Sequence, residues 1–340
     1  MIRKFLCLTV LFSVLLTIPS IRAIAASDEE DKTGFIMHHV KDSHEWHFAT
    51  FGHTHITISL PVIIYSAECG LDFYISSDFQ NPETHAFGKE YGKDGFYIDE
   101  HDHLKAVDEN RSFIELSITK NVMMLFIVLG VLLYLILSTA AYYKKNPNMA
   151  PKGIASFIEP IVIFIRDEIA LPNIGSKHQK FTPYLLTIFF FIFCGNLMGL
   201  IPGAANLTGN IAITATLAIF TFFITNLNGN RQYWKHVFAT PGVPVPLLLI
   251  IVPVEIIGLF TKPFSLMVRL FVAITAGHIV ILSFIGLIFV FESYAVGLAS
   301  TVMVVFINMI ELLVATIQAY VFTLFSAMYI GQAVAEHEHH

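Results

Sequence analysis

The sequence predicts an all-α polytopic membrane protein, with about five membrane segments that end in a long, strongly tilted helical hairpin. A small mixed extracytoplasmic segment precedes them. Of the 340 residues, 55% are hydrophobic and only 14% are charged, whereas soluble domains carry about 25% charged residues. Several apolar runs exceed the roughly 18 residues that indicate a membrane-spanning helix. The net charge of −6 gives no reason to expect nucleic acid as a partner.

Residues 1–26 have the composition of a secretory signal peptide. Arg3 and Lys4 form the basic start, an apolar stretch runs from Phe5 to Pro19, and Ala23-Ile24-Ala25 resembles a cleavage site. The alternative is a short anchor that stays uncleaved. In either case the chain that follows is expected on the outer side of the membrane.

Residues 27–118 form a polar, histidine-rich extension. Alternating apolar and polar residues at 53–58 and 60–65 predict short strands there. The histidine spacing fits no zinc signature, so a small external domain is favoured over a metal site. The extension contains nine histidines: His38, His39, His44, His47, His53, His55, His85, His101 and His103.

Residues 119–340 form the membrane domain, and residues 151–172 within it are amphipathic, as expected of a helix on the inner surface. Gly195 and Gly199 have the spacing of a close-packing helix face. Asn196, between them, needs an internal hydrogen-bond partner. The predicted membrane segments are 122–143, 181–201, 211–226, 243–291 and 296–331.

Basic residues predict the orientation of the membrane domain. Six lie in 144–180 and two in 227–242, whereas the loops at 202–208 and 292–295 have none. Basic loops face the cytoplasm. The N-terminus is therefore expected outside and the C-terminus in the cytoplasm.

The last two membrane segments are longer than a bilayer requires. The 36 residues of 296–331 would extend about 54 Å as a helix, against a hydrocarbon core of about 30 Å. Strong tilt accommodates this length, and breaks near Pro244-Val-Pro246 and Pro263 are the alternative. We expect a steeply tilted hairpin with proline bends in its first arm.

Arg269 is a charge inside the first arm of this hairpin. A charge at membrane depth costs several kcal/mol, and the nearest acids, Glu255 and Glu292, lie 14 and 23 residues away. Its partner is therefore expected on another helix or another chain.

Four polar residues pair by level in the predicted hairpin. In an antiparallel hairpin the residue numbers at one level have a nearly constant sum, and Arg269 with Gln318 gives 587 while His278 with Glu311 gives 589. Glu255 falls near the face of Arg269. The pattern predicts a ladder of protonatable groups interrupted by a fixed charge.

A structural role is the alternative at each position of this ladder. Arg269 would be a structural ion-pair partner, and Glu255 a surface residue. His278 would be a packing histidine with Glu311 as its partner, and Gln318 would form a hydrogen bond between helices.

The chain resembles subunit a of the F-type ATP synthase over roughly residues 155–331. The matching stretches are Pro183–Thr187, Asn196–Pro202, Lys262–Phe271, Thr275–His278 and Glu311–Leu324. The family motif Arg-Leu-x-x-Asn departs here, because Ala273 occupies the fifth position. The first 120 residues resemble, more weakly, the outer extension of some bacterial members.

The resemblance implies a proton-channel stator subunit in a bacterial inner membrane. The family's essential arginine falls on Arg269, its glutamine on Gln318, its outer half-channel pair on His278 and Glu311, and an acid on the cytoplasmic side on Glu255. The implied partners are a ring of c subunits with its rotor carboxylates, b-type peripheral stalk subunits and membrane lipid. No cofactor, metal or catalytic residue is implied, since ATP chemistry belongs to a partner sector.

Two other classes of function, a secondary transporter and a membrane scaffold, are alternatives for the same helices. A proton-coupled secondary transporter would often show internal repeats, and 122–226 and 243–331 show none. A non-conducting membrane scaffold would not depend on the charge of Arg269.

Overall fold

The structure is a computed structural model that divides into two compact units. The first unit comprises residues 1–127, 198–207 and 277–311, and the second comprises 128–197, 208–276 and 312–340. The predicted signal peptide lies outside the described residues. The structure describes residues 42–51, 54–66, 70–81, 87–99, 102–108, 111–147, 149–201, 203–238, 244–291 and 293–335.

The N-terminal extension is made of short antiparallel strands. β1 pairs with β2, β3 lies between β4 and β7, and β5 pairs with β6. The strands predicted at 53–58 and 60–65 are confirmed as β2 and β3, each within one residue. The strands are β1 Glu45–Phe51, β2 Thr54–Ser59, β3 Pro61–Ser66, β4 Gly70–Ile75, β5 Phe96–Ile98, β6 Leu104–Ala106 and β7 Phe113–Glu115.

Alternation along β3 builds the core of this extension. Val62, Ile64 and Ser66 are buried, while Tyr65, between Ile64 and Ser66, is exposed. Successive side chains of a strand point to opposite faces. The apolar inward pair packs with Phe79, Phe96 and other buried residues in one hydrophobic cluster.

The rest of the described chain is helical. A single π-helical turn, Ile165–Ala170, separates the second and third helices. The helices are α1 Lys120–Lys145, α2 Ile154–Phe164, α3 Leu171–Ile174, α4 His178–Gly199, α5 Ile211–Leu227, α6 Arg231–Phe238, α7 Val245–Phe291 and α8 Tyr294–Val334.

Four helical stretches among the described residues are long and apolar enough to cross a membrane: Lys120–Lys145, Ile154–Gly199, Pro246–Ile288 and Tyr294–Val334. A fifth is obtained if α5 and α6, bent by 104° at their junction, count as one span. The polytopic all-α prediction is thus confirmed. The predicted surface helix 151–172 falls on α2, the π turn and α3, which continue towards α4, and its place at the membrane surface stays a prediction.

The predicted hairpin arms are two very long helices. α7 has 47 residues and α8 has 41, which correspond to about 70 and 62 Å. α7 continues through Pro253 and Pro263, so no helix break occurs at Pro263. The turn predicted at 293–295 coincides with the start of α8 at Tyr294. The tilt of the hairpin in the membrane stays a prediction.

Polar contacts join the helices of the second unit. Tyr184 on α4 is hydrogen-bonded to Thr221 on α5 (2.8 Å), and Thr221 lies 3.5 Å from Ser326 on α8. Gly331 on α8 approaches the backbone of α3 so closely that an added Cβ would overlap the Asn173 carbonyl oxygen. Only glycine fits that approach without a backbone shift.

Candidate functional site

His278 and Glu311, both in the first unit, are in direct contact. His278 Nδ1 is hydrogen-bonded to Glu311 Oε1, and Nε2 lies 3.1 Å from the carbonyl oxygen of Gly199. Because a carbonyl oxygen only accepts, Nε2 must carry a hydrogen in this contact. The hydrogen bond between Nδ1 and Glu311 Oε1 is then a contact in which one proton can be shared by the two side chains.

Glu311 is almost fully enclosed, with an exposed fraction of 3%. Its second carboxylate oxygen, Oε2, is buried and has no hydrogen-bond partner in the described part of the chain. Such an orphaned acceptor is rare in folded proteins. It is available to a water molecule or a proton.

Gly277 provides the space for the Glu311 carboxylate. A Cβ at this position would lie 3.1 Å from Glu311 Oε1 and 3.2 Å from Cδ. The carboxylate therefore occupies the volume that a side chain would take. Asn308, one turn before Glu311 on α8, is also buried.

Arg269, in the second unit, contacts an aromatic ring instead of an acid. Its guanidinium carbon lies 4.3 Å from the ring centroid of Phe325, a cation–π contact that offsets part of the cost of burial. Among the described residues, no carboxylate lies within ion-pair distance of Arg269.

Among the described residues no hydrogen bond joins Arg269 to Gln318, and their predicted pairing by level stays a prediction. Helical side chains point back towards the N-terminus of their own helix, and in an antiparallel pair that direction leads to later residues of the partner helix. Phe325, two turns beyond Gln318, is the residue so reached. Gln318 is half-buried, and its side chain makes no hydrogen bond within the described ranges.

Glu255, also in the second unit, is half-buried on α7. Its carboxylate lies 3.8 Å from Nδ1 of His236 on α6, an ion pair only when the histidine is protonated. Further along α7, Lys262 donates to Gln332 Oε1 (3.0 Å) and lies over the Tyr329 ring. Glu255 thus has a titratable neighbour, His236. The sequence did not indicate this contact, because His236 lies in the polar stretch 228–238.

Asn196 has the internal partners that its position requires. It is 1% exposed, donates to the Ala315 carbonyl oxygen (3.1 Å) and accepts from the Thr208 hydroxyl (2.7 Å). Gly195 is buried on α4. The atoms nearest to a Cβ on Gly199 belong to the following loop and lie at ordinary contact distance, so the main contribution of Gly199 is its carbonyl oxygen.

Sequence reasoning missed Gly277, the Gly199 carbonyl oxygen and His236. Gly277 lies in the Thr-Ala-Gly-His stretch. A glycine next to a membrane histidine could have indicated that space is needed beside the imidazole. A backbone acceptor carries no side-chain signal at all.

Comparison with known proteins bears on the same residues. The family model described as "ATP synthase A chain" matches residues 122–331, which include both polar sites. The chain belongs to the ATP synthase subunit a family. A second family model, described as a domain of unknown function, matches residues 35–124.

Individual subunits a agree with this assignment. ATP synthase subunit a of Chloroherpeton thalassium is 49% identical over 66% of this chain and 69% of its own length. Subunit a 2 of Chlorobium luteolum is 41% identical over 91% of this chain and 78% of its own. Subunit a of an Anaeromyxobacter species is 40% identical, covering 92% and 73%. The resemblance inferred from the sequence is confirmed.

Gly277→Ala should disturb the His278–Glu311 pair. The new methyl group displaces a buried carboxylate from its hydrogen bond, at a cost of about 1 kcal/mol or more, so ATP-driven acidification of membrane vesicles should slow by about five-fold. Gly297→Ala on α8 is the matched control, because the nearest atom to its Cβ is a methyl group of Ile288 at 3.8 Å. Equal rates in the two variants would show that the space at Gly277 is not needed.

Proposed function

We propose that this subunit a forms two half-channels against the c ring of an F-type ATP synthase, with Arg269 as the charge that separates them. The observation that carries the proposal is a guanidinium on an apolar helix that has only an aromatic contact among the described residues. An arginine stays charged at any accessible pH. A second chain that brings a carboxylate past this position would complete the pair.

The His278–Glu311 pair is the proton-accepting group of the outward half-channel. It holds a shared proton, and the buried Oε2 of Glu311 is open to a further hydrogen bond. A proton passed from this pair neutralises a rotor carboxylate, which then turns into the lipid. A deprotonated carboxylate instead pairs with Arg269, because an opposite charge favours the ionised form.

Glu255 is the acid of the cytoplasmic half-channel, and Gln318 is a polar lining residue beside the rotor. His236 lies 3.8 Å from Glu255 and extends the titratable group on this side. The polar contacts of Asn196 fasten α4 to α8 and keep the stator helices in register.

The chain is an ion-translocating subunit and not a catalytic one. Its further proposed partners are b-type peripheral stalk subunits and membrane lipid. It would lie in a bacterial inner membrane with its N-terminus outside and its C-terminus in the cytoplasm. A signal peptide (1–26), an external extension (27–118) and a membrane domain (119–340) with a steeply tilted terminal hairpin complete the proposal.

Arg269→Ala should abolish coupled proton pumping while the complex still assembles. Arg269→Lys should fail as well, because a desolvated lysine loses its proton and lacks the planar fork of arginine. ATP-driven acidification of vesicles measures both. Pumping should stay normal in the control Arg231→Ala, which removes an exposed basic residue of α6. Normal acidification in either Arg269 variant would exclude the proposed role and favour a non-conducting scaffold.

Single cysteines in a cysteine-free background test the orientation. Ser176→Cys and Gln232→Cys should react with a membrane-impermeant thiol reagent only from the cytoplasmic side. Ala204→Cys should react only from outside, because its loop contains no basic residue. Labelling of right-side-out and inverted vesicles compares the two sides. A reversed pattern at any one site would contradict the proposed arrangement of the segments.

A further inference from the structure

A short loop joins the N-terminal strands to the outer proton site within the first unit. We call the described residues 200, 201 and 203–207 the outer loop. The indole N–H of Trp46 on β1 donates to the Gly203 carbonyl oxygen in this loop, at 2.6 Å. The carbonyl oxygen of Gly199, immediately before the loop, accepts from His278.

The loop between these two contacts is compact. Ala205 and Leu207 are at most 1% exposed. Backbone hydrogen bonds join Ile201 to Met198 (3.1 Å) and Ala204 to Ile201 (2.9 Å). Because these hydrogen bonds link the chain around Gly203 to the end of α4, we expect a displacement at Gly203 to move the Gly199 carbonyl oxygen as well.

Trp46 itself is held firmly at the other end. It is 7% exposed, and its neighbour His44 lies 2.7 Å from the Glu115 carboxylate. Burial raises the pKa of Glu115, but its hydrogen bonds with His44 and Ser117 outweigh that effect and leave the pKa below its usual value. The Glu115 carboxylate is therefore charged at neutral pH and keeps its hydrogen bond to His44.

We propose that Trp46 is a positioning residue of the His278–Glu311 proton site, acting through the outer loop. The inference rests on the proposed function of that pair. Without the indole donor, the half-buried Gly203 carbonyl oxygen loses its hydrogen bond, and we expect the outer loop to shift as this oxygen turns to water. The acceptor for His278 Nε2 moves with it, and the proton affinity of the pair changes.

Trp46→Phe tests this directly, because it removes the N–H donor and keeps an aromatic ring. Proton flux of the complete complex in vesicles is measured against the pH on the side of the N-terminal extension. We expect flux to fall by about five-fold, as for one lost hydrogen bond, and the midpoint of the pH profile to move. The amount of assembled complex should stay unchanged.

Two further variants make the outcome decisive. Phe96→Leu, in the buried strand core, should lower stability but leave the pH midpoint in place. Glu311→Gln should change the midpoint or remove it. The positioning role of Trp46 would be overturned if Trp46→Phe kept the wild-type midpoint, or if Phe96→Leu shifted the midpoint by the same amount. Either result would leave the proposed function of the pair intact. An unchanged profile in Glu311→Gln would instead overturn the proposed function of the pair.

A second inference concerns the outward face of the sheet formed by β4, β3 and β7. Tyr65 lies opposite both Leu71 and Ile114, and Ile63 lies opposite Phe73. Phe73 is 67% exposed and Ile114 is 59% exposed. A solvated sheet face is normally polar. This face instead presents Ile63, Tyr65, Leu71, Phe73, Ile75 and Ile114, with no charged side chain among the six.

We propose that this face rests on the lipid surface where α1 enters the membrane. The chain that leads to α1 is bonded to β3, through Leu116 N–H to the Ile63 carbonyl oxygen (2.9 Å) and Ile118 N–H to the Pro61 carbonyl oxygen (3.0 Å). α1 begins two residues later, at Lys120. The sheet is thus held within a few residues of a candidate membrane span, and exposed aromatic residues are typical of that interface.

A spin label at Phe73→Cys, in the cysteine-free complete complex in lipid nanodiscs, tests the occupant. Collisions with oxygen, which enters lipid, are compared with collisions with a nickel chelate, which stays in water. Collisions with oxygen should be the more frequent at Phe73→Cys. Collisions with the nickel chelate should be the more frequent at Lys89→Cys, an exposed control. Chelate access at Phe73→Cys would overturn the proposal. Protection from both reagents would also overturn it, in favour of a covering protein segment.

Discussion

The charge of Arg269 constrains the surroundings of α7 more than any other group, because a guanidinium in an apolar environment costs several kcal/mol unless it is matched. The ring of Phe325 offsets part of that cost. A carboxylate in the same chain would offset more, but it would also neutralise the site permanently. Contact with an aromatic ring keeps the full charge available for an acid that arrives and leaves.

The His278–Glu311 pair has a different task in the proposed mechanism, since it accepts protons and passes them on. The hydrogen bond between them lets one proton serve both partners. The Gly199 carbonyl oxygen orients the imidazole without adding a charge. Gly277, the residue before His278, leaves room for the carboxylate. Two backbone features therefore shape a site whose chemistry lies in two side chains.

The sequence predicted most of this arrangement, and its omissions have physical causes. Apolar runs and basic loops predicted the helices, and the constant residue-number sum predicted the contact of His278 with Glu311. The same sum places Arg269 level with Gln318, which stays a prediction. The guanidinium reaches Phe325, because a long helical side chain points towards the N-terminus of its own helix. The hydrogen bond from Trp46 to Gly203 joins residues 157 positions apart. Its acceptor is a backbone carbonyl oxygen, which no residue type in the sequence indicates.

Asn196 and Glu311 differ in how fully their buried polar atoms are hydrogen-bonded. Asn196 is fully engaged, with both ends of its amide bonded inside the second unit, as expected of a group that holds helices together. Glu311 Oε2 is buried without a partner, which would destabilise a group with only a structural role. An apolar interior retains such an atom when a proton or water occupies it in use. The open Oε2 of Glu311 and the absence of a neighbouring acid at Arg269 among the described residues, each within its own unit, are therefore the features on which the proposed transport role depends.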